Sequence, residues 1–325
     1  MASDKSNMLG KLQEFRNQVK NAFKIAKKAK LPKFKKSKLS NIVVCGMGGS
    51  SAGGLLLASF IKKYPLYVIR NYELPKYVNK NSLVFVVSYS GNTEETLATY
   101  NEAKKRKATV IVITSNGKLA EKEKKKAIII PSGYQPRIAL GYTFIPLLIA
   151  LSRYRLISNQ DNAIRETIKS LVPKSCSKEG FMIAKNLNQK IPVIYASEKM
   201  QAVAYLFKTM INENAKQPAF YHFFPEMNHN EINGFKKQAK KLHIVIVRDK
   251  KDHVKIRKRM AISRKLIKER TGVTEVFTKG TSLLTRLIHT VYIGMYTSYY
   301  LALMNKVDPT PVPVVEELKK RLKGK

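Results

Sequence analysis

Tryptophan is absent from this 325-residue chain, cysteine occurs twice and histidine five times. Two cysteines, Cys45 and Cys176, cannot build a disulfide framework and point to a reducing, cytoplasmic compartment. Cys45 closes an apolar run, whereas Cys176 falls in a polar stretch that reads as a loop. No two histidines share the spacing of metal ligands, so no metal site is expected. Acidic residues are scarce too: 22 Asp and Glu stand against 61 Lys and Arg, a formal net charge of +39. The lysines crowd every segment, as at 104–107, 122–126, 236–241 and 250–258. Neither arginine–aromatic interleaving nor zinc-finger spacing accompanies them, so they read as a solvated basic surface, not a nucleic-acid interface. Residues 1–16 are polar and charged, and no signal peptide is expected there. Long apolar runs are limited to 138–151, too short to span a bilayer, and 283–304, which carries Arg286, His289 and several tyrosines. Both read as buried or interface helices, and no membrane partner is expected.

The stretch 41–54, NIVVCGMGGSSAGG, is where the chain becomes specific. A β-branched run, a glycine turn and a second apolar run predict strand, turn and helix. The amide groups of a helix's first turn attract an anion, and Ser50 and Ser51 add hydroxyls. Gly-Lys-Ser/Thr does not follow, so this is not a Walker A loop, and Ser51 stands where a dinucleotide fingerprint has its third glycine.

Further apolar runs at 66–70, 82–88, 108–114 and 127–130 predict strands alternating with helices at 94–107 and from 138 onward. Continuous apolar strands of this kind predict a parallel sheet covered on both faces, an α/β fold with its ligand beyond the carboxyl ends of the strands. Three polar stretches, 46–51, 88–93 and 135–137, fall at those ends. A helix over 8–30 and a basic linker over 33–38 precede the first strand. After the polar stretch 158–178, strands at 192–196, 242–248 and 274–278 alternate with helices at 200–212, 254–270 and 281–303, and 219–224 is apolar and aromatic. The division expected is 1–40 for helix and linker, 41–157 for a first α/β domain and 158–325 for a second.

Residues 88–96, SYSGNTEET, cluster three hydroxyls where a strand ends and a helix starts. Ser90, Asn92 or Thr93 could cap that helix. One cap suffices for one helix, however, and Ser88, Ser90 and Thr93 together with Ser50 suit a phosphate monoester.

GMGGSSAGG, VSYSGNTEET and QPRIALGY, in this order and spacing, resemble the sugar isomerase (SIS) domain family. Within it they are similar to the archaeal bifunctional phosphoglucose/phosphomannose isomerases. The similarity continues through 212–216 (NENAK), 225–230 (PEMNHN) and 316–322 (EELKKRL). The resemblance implies two SIS-type domains, each a parallel sheet flanked by helices. It also implies isomerisation of glucose 6-phosphate, and of mannose 6-phosphate, to fructose 6-phosphate through a cis-enediol, with no organic cofactor.

The same resemblance implies roles for single residues. Gly48, Gly49, Ser50, Ser88, Ser90 and Thr93 match the phosphate site, and Glu213 matches the base. His229 matches the ring-opening acid/base, supplied by the second subunit of a homodimer; a histidine can give and take a proton near neutral pH. Arg137 matches the stabiliser of the enediolate, and Lys319 an active-site lysine. Read without the resemblance, Glu213 is an exposed carboxylate after a helix, Arg137 a loop salt bridge and Lys319 part of a solvated helix face. The helices at 138–151 and 283–304 offer interface surface. A Thr-Pro pair seven residues before the lysine accompanies mannose 6-phosphate use. Here that position holds Val312, and Thr310 stands two residues earlier, so either side chain could line the pocket. Two other readings compete: another SIS sugar-phosphate isomerase, and a non-catalytic sugar-phosphate sensor bound to DNA. The second lacks a helix-turn-helix ahead of the first domain.

Overall fold

The computed structural model describes residues 4–236, 238–322 and 324, with the side chain of Lys125 left out. They form two compact units. One runs from Glu14 to Lys169, and the other joins the segment ahead of Glu14 to the chain from Ser170 onward.

The expected single helix over 8–30 is two helices, α1 (Met8–Gln13) and α2 (Phe15–Lys28), and each belongs to a different unit. Leu12 is wholly buried and its carbonyl accepts from the Tyr292 hydroxyl at 2.9 Å. Phe15, Val19, Ala22 and Ala26 are the buried stripe of α2, and its last carbonyls are capped by Arg153, whose Nη1 donates to Ala26 O at 3.0 Å and to Ala29 O at 2.7 Å. Helical spacing alone gives no sign of the break, because both apolar stripes keep the same period.

In the unit Glu14–Lys169 the chain then runs through β1 (Asn41–Cys45), α3 (Gly48–Leu57), β2 (Leu66–Ile69), β3 (Ser82–Val87) and α4 (Glu94–Lys105). It continues with β4 (Thr109–Thr114), α5 (Gly117–Glu123), β5 (Ile128–Ile129), α6 (Leu140–Arg153) and α7 (Asp161–Ser170). The strands form a parallel sheet in the order β2-β1-β3-β4-β5. Every residue of β1 and β3 is buried, as a sheet covered on both faces demands.

The other unit carries α8 (Pro173–Leu187), β6 (Ile191–Ser197), α9 (Gln201–Ala215), β7 (Phe220–Phe224) and β8 (Leu242–Arg248). It is completed by α10 (Val254–Lys268), β9 (Gly272–Phe277), α11 (Leu283–Met304) and α12 (Pro313–Leu322). Its parallel sheet has the order β7-β6-β8-β9, the same succession as β2-β1-β3-β4. Each unit is thus the same crossover pattern.

Three expectations need correcting. The polar stretch 158–178 is helical, and Cys176 lies buried in α8, 3.6 Å from His289 Nε2, not in a loop. Polar α7 and α8 each hide a narrow face: Ile164 and Thr167, then Cys176, Ile183 and Leu187. The apolar runs 138–151 and 283–304 are not interface surface. Residues 140–151 are all buried in α6, which packs on α2 and α3, and most of α11 is buried against α8 and α9. Among the described residues no helix is long and apolar enough to cross a membrane.

Candidate active site

The strand order reverses at β1. The connection leading on from β1 goes to one side through α3 to β2, and the next crossover returns to the other side at β3. Ligands in open parallel sheets bind at such a reversal, beyond the carboxyl ends. Two loops meet there. The amide of Tyr89, just past β3, donates to Ser50 Oγ in α3 at 3.2 Å, so the hydroxyl of one loop holds the backbone of the other. Ser50 and Ser88 are both buried.

Within the second loop Ser88 Oγ accepts from the Gly91 amide and donates to Thr93 Oγ1, both at 3.1 Å. Ser90, exposed, accepts from the Asn92 amide at 3.3 Å. Gly91 is obligatory: its φ is +68°, and a Cβ would stand 1.8 Å from the Asn116 carbonyl oxygen. Tyr89 braces the loop further: its hydroxyl donates to Pro131 O at 2.9 Å and accepts from the Tyr134 amide at 3.0 Å.

Arg137 sits in a single tight turn, Pro136–Ile138, and is 6% exposed. That turn lies on Gly49, where a Cβ would come within 2.6 Å of Pro136 O. Glycine at 49 therefore lets the Arg137 turn close onto the first turn of α3. The structure gathers Gly49, Ser50, Ser88, Ser90, Thr93 and Arg137 around one strand reversal; Gly48 opens α3 with φ +49°. Hydroxyls and the start of a helix can bind a dianion without a buried lysine.

Arg70, which in the sequence reads only as the last residue of a strand, also reaches this reversal: its Nε donates to Ser51 Oγ at 3.1 Å. The pairing of Cys45 with Ile69 puts Arg70 beside Gly46, which parallel register alone could have signalled.

If Ser88 and Ser90 hold a phosphate, the Ser88→Ala/Ser90→Ala variant should raise KM for a hexose 6-phosphate by about 10²-fold, since hydrogen bonds to a charged group contribute roughly 1.5–3 kcal/mol each. A parent-like KM in steady-state kinetics would remove the assignment.

In the other unit Glu213 lies in the last turn of α9, which runs to Ala215 and not to 212 as the polar Asn-Glu-Asn suggested. Its neighbours are tied down: Asn214 Nδ2 donates to Ser298 Oγ at 2.9 Å in a buried contact, and Asn212 Nδ2 to Gln217 O at 2.8 Å. Glu213 lines a cavity of about 400 Å³ together with Asn212, Lys216, Val312, Val314 and Val315. Val312 is on this wall and Thr310 is not; Thr310 is half-buried, its amide donating to Asp308 Oδ1 at 2.9 Å.

His229 closes the turn Glu226–His229 and is exposed. The turn is anchored by wholly buried Met227 and by Asn228 Nδ2, which donates to Ser263 Oγ at 2.7 Å. Just beyond it, Glu231 accepts from the Tyr195 hydroxyl at 2.7 Å. Lys319 stands exposed on α12, a helix with no buried residue, and is not among the residues lining the Glu213 cavity. A wider cavity of about 520 Å³ beside His243, Lys268 and Arg270 opens at the amino ends of β8 and β9, the wrong end of a sheet for a ligand.

The strand reversal in this unit is already filled. Asp249, wholly buried past β8, meets Lys199 Nζ at 2.9 Å and Arg286 Nε at 3.1 Å. Asp252 meets the same ammonium at 3.0 Å and accepts from Ser197 Oγ at 2.8 Å. Two carboxylates stand where the first unit offers hydroxyls.

The SIS domain model matches residues 33–152, and the bacterial phospho-glucose isomerase C-terminal SIS domain model matches residues 177–322. The chain is 41% identical over 325 residues to a bifunctional phosphoglucose/phosphomannose isomerase of Caldicellulosiruptor bescii, covering 94% of this chain and 96% of that one. To a protein of the same description from Thermoplasma volcanium it is 36% identical over 290 residues, 89% and 93% of the two chains. A hypothetical protein of Thermus thermophilus superposes with a TM-score of 0.78 over 97% of this chain and 90% of its own, at 17% identity, a likeness of fold alone.

Proposed function

Because this chain belongs to the bifunctional phosphoglucose/phosphomannose isomerases of the SIS family, and is thus a sugar-phosphate isomerase, we propose that Glu213 is the base of its aldose–ketose reaction. The carrying observation is a carboxylate held by the last turn of a helix at a cavity of about 400 Å³. Interconverting glucose 6-phosphate or mannose 6-phosphate with fructose 6-phosphate moves one proton between C2 and C1. Glu213 takes the C2 proton of the open-chain aldose, leaving a cis-enediolate with its charge on O1; the O2 proton passes to O1 through the cis-enediol, and Glu213 returns its proton to C1 as the C2 carbonyl forms. The substrate phosphate is held by the hydroxyl loops at Ser50 and Ser88–Thr93. Arg137 offsets charge on the developing enediolate, a role that needs a fixed cation, and its turn is fixed by the contact with Gly49.

His229 opens the sugar ring, giving a proton to the ring oxygen and taking one from the anomeric hydroxyl. We assign it to the active site of a second subunit in a homodimer. Its exposure on an anchored turn supports that reading. Lys319 is proposed as a further contact to substrate. The remaining proposal is a cytoplasmic enzyme that uses no nucleic acid, its charge being spread over the surface.

Both C2 epimers should be turned over. Valine has the shape of threonine without the hydroxyl, and one lost hydrogen bond amounts to about 1 kcal/mol, too little to abolish an activity. The test is kcat/KM for glucose 6-phosphate and mannose 6-phosphate on the parent, Val312→Thr and Thr310→Val. Since Val312 lines the cavity, Val312→Thr should move the epimer ratio by up to about fivefold and Thr310→Val should leave it alone. A parent without activity on mannose 6-phosphate would end the bifunctional assignment; a ratio moved only by Thr310→Val would put Thr310 in the pocket.

A further inference from the structure

Lys216 follows directly on α9 with φ +52° and ψ +38°, the left-handed conformation in which a helix commonly ends. Glycine adopts it without penalty and asparagine tolerates it, whereas a lysine backbone is strained there. Lys107 and Lys306 share this positive φ, so what sets Lys216 apart is its ammonium. Its Nζ donates to the Asn214 carbonyl at 3.1 Å and to the Asp308 carbonyl at 2.6 Å. It therefore joins the residue after Glu213 to the connection between α11 and α12, across a sequence separation of 92.

That connection is the opposite wall of the cavity. Asp308 accepts from the Thr310 amide and so shapes the turn that delivers Val312. A second tie, from Asn305 Nδ2 to Ala215 O at 3.0 Å and to Gln217 Oε1 at 2.8 Å, holds the foot of the same connection. Asn305 lies at the end of α11, so this tie holds the connection at its foot, and Lys216 holds it further along, at Asp308.

We propose that Lys216 is a positioning residue for the isomerase: its ammonium clips the end of α9 to the Asp308 segment and sets the gap between Glu213 and the Val312 wall. The proposal rests on Glu213 being the proton-transfer base. A displacement of about 1 Å at the reacting group can cost on the order of 10²-fold in rate.

Lys216→Gly separates backbone from side chain, because the two effects have opposite signs. The glycine relieves the strain, so the melting temperature should hold or rise. The clip is gone, so kcat on glucose 6-phosphate should fall about 10-fold or more with KM little changed. Lys216→Asn, which accepts the same backbone, should behave alike, and Lys216→Arg should restore kcat to within about threefold, since it carries a long cationic donor. In the double variant Glu213→Gln/Lys216→Gly, kcat should be no lower than in Glu213→Gln alone, because the clip acts through the base. Full kcat in Lys216→Gly, or a melting temperature that drops in step with activity, overturns the proposal and leaves Lys216 a helix cap. Additive losses in the double variant overturn it too. If Glu213→Gln itself keeps parent kcat, the base assignment has failed and the clip falls with it. If Glu213→Gln is crippled and Lys216→Gly is not, the base stands and only the clip falls.

Discussion

Glu213→Gln should lose about 10²–10⁴-fold in kcat on glucose 6-phosphate, the usual share of general acid–base catalysis, while binding survives. The amide keeps the shape of the side chain and its place in the last turn of α9 but cannot accept the C2 proton. The flanking residues hold the position on substitution, since Asn214 is pinned to Ser298 inside the unit and Asn212 to the carbonyl of Gln217. Exchange of the C2 proton with solvent should slow by the same factor. Parent-rate exchange would identify a different base. The variant also tests the shared histidine. Mixed with His229→Ala subunits and allowed to exchange, it should regain activity, because one site of each hybrid dimer is intact. No recovery despite demonstrated exchange would place both residues on one chain.

The largest effect on stability should come from Asp249→Asn. Asp249 is wholly buried between Lys199, Arg286 and the amide of Lys251, and Thr278 Oγ1 donates to it at 3.2 Å. Lys199 keeps Asp252, but the buried Arg286 guanidinium loses its carboxylate, and breaking such a buried pair costs about 3–5 kcal/mol. The melting temperature should drop by roughly 5–15 °C. The loss should depend on pH, with a definite sign. Burial alone would raise the Asp249 pKa, but the Lys251 amide, the Lys199 ammonium and the Arg286 guanidinium outweigh it and hold the carboxyl below the usual carboxylate range. A folded-state pKa that is lowered stabilises the fold above the unfolded-state value, and that contribution fades as pH falls through the folded-state one. The gap between parent and Asp249→Asn should therefore be full at neutral pH, start to narrow below about pH 4 and close only below the lowered folded-state pKa. Thermal melts at pH 7 and pH 3 check this; an equal gap at both would mean that the carboxylate charge is not what the variant removes.

The strands were legible because burial on both faces writes itself as unbroken β-branched runs. β1, β3, β4, β6 and β8 each fall within about one or two residues of their runs. The helices α7 and α8 were not legible. DNAIRETIKS and PKSCSKEGFMIAKNL hide only a narrow apolar face among polar residues, and that composition also suits a loop. The end of α9 was misplaced for a related reason: asparagine and glutamate favour helix ends, but here Asn214 is spent on a tertiary partner 84 residues away. Of the site, the two hydroxyl loops could be read locally, since their chemistry lies within ten-residue stretches. What joins the end of α9 to Asp308, or Arg70 to Ser51, is contact between distant segments, which neither spacing nor composition records.

The burial of Cys176 beside His289 has a chemical consequence of its own. A thiol next to an imidazole elsewhere is a nucleophile, because an ion pair makes the thiolate. Here burial pushes the thiol up to about 12 and the imidazole down from its ordinary range, so both stay neutral. Cys45 is likewise pushed up to about 12 by burial. At pH 7 both thiols stay protonated and buried, and the thiolate that reacts with alkylating reagents or peroxide is scarce. The sulfur of this chain is packing material, and the purified enzyme should keep its activity without added reductant.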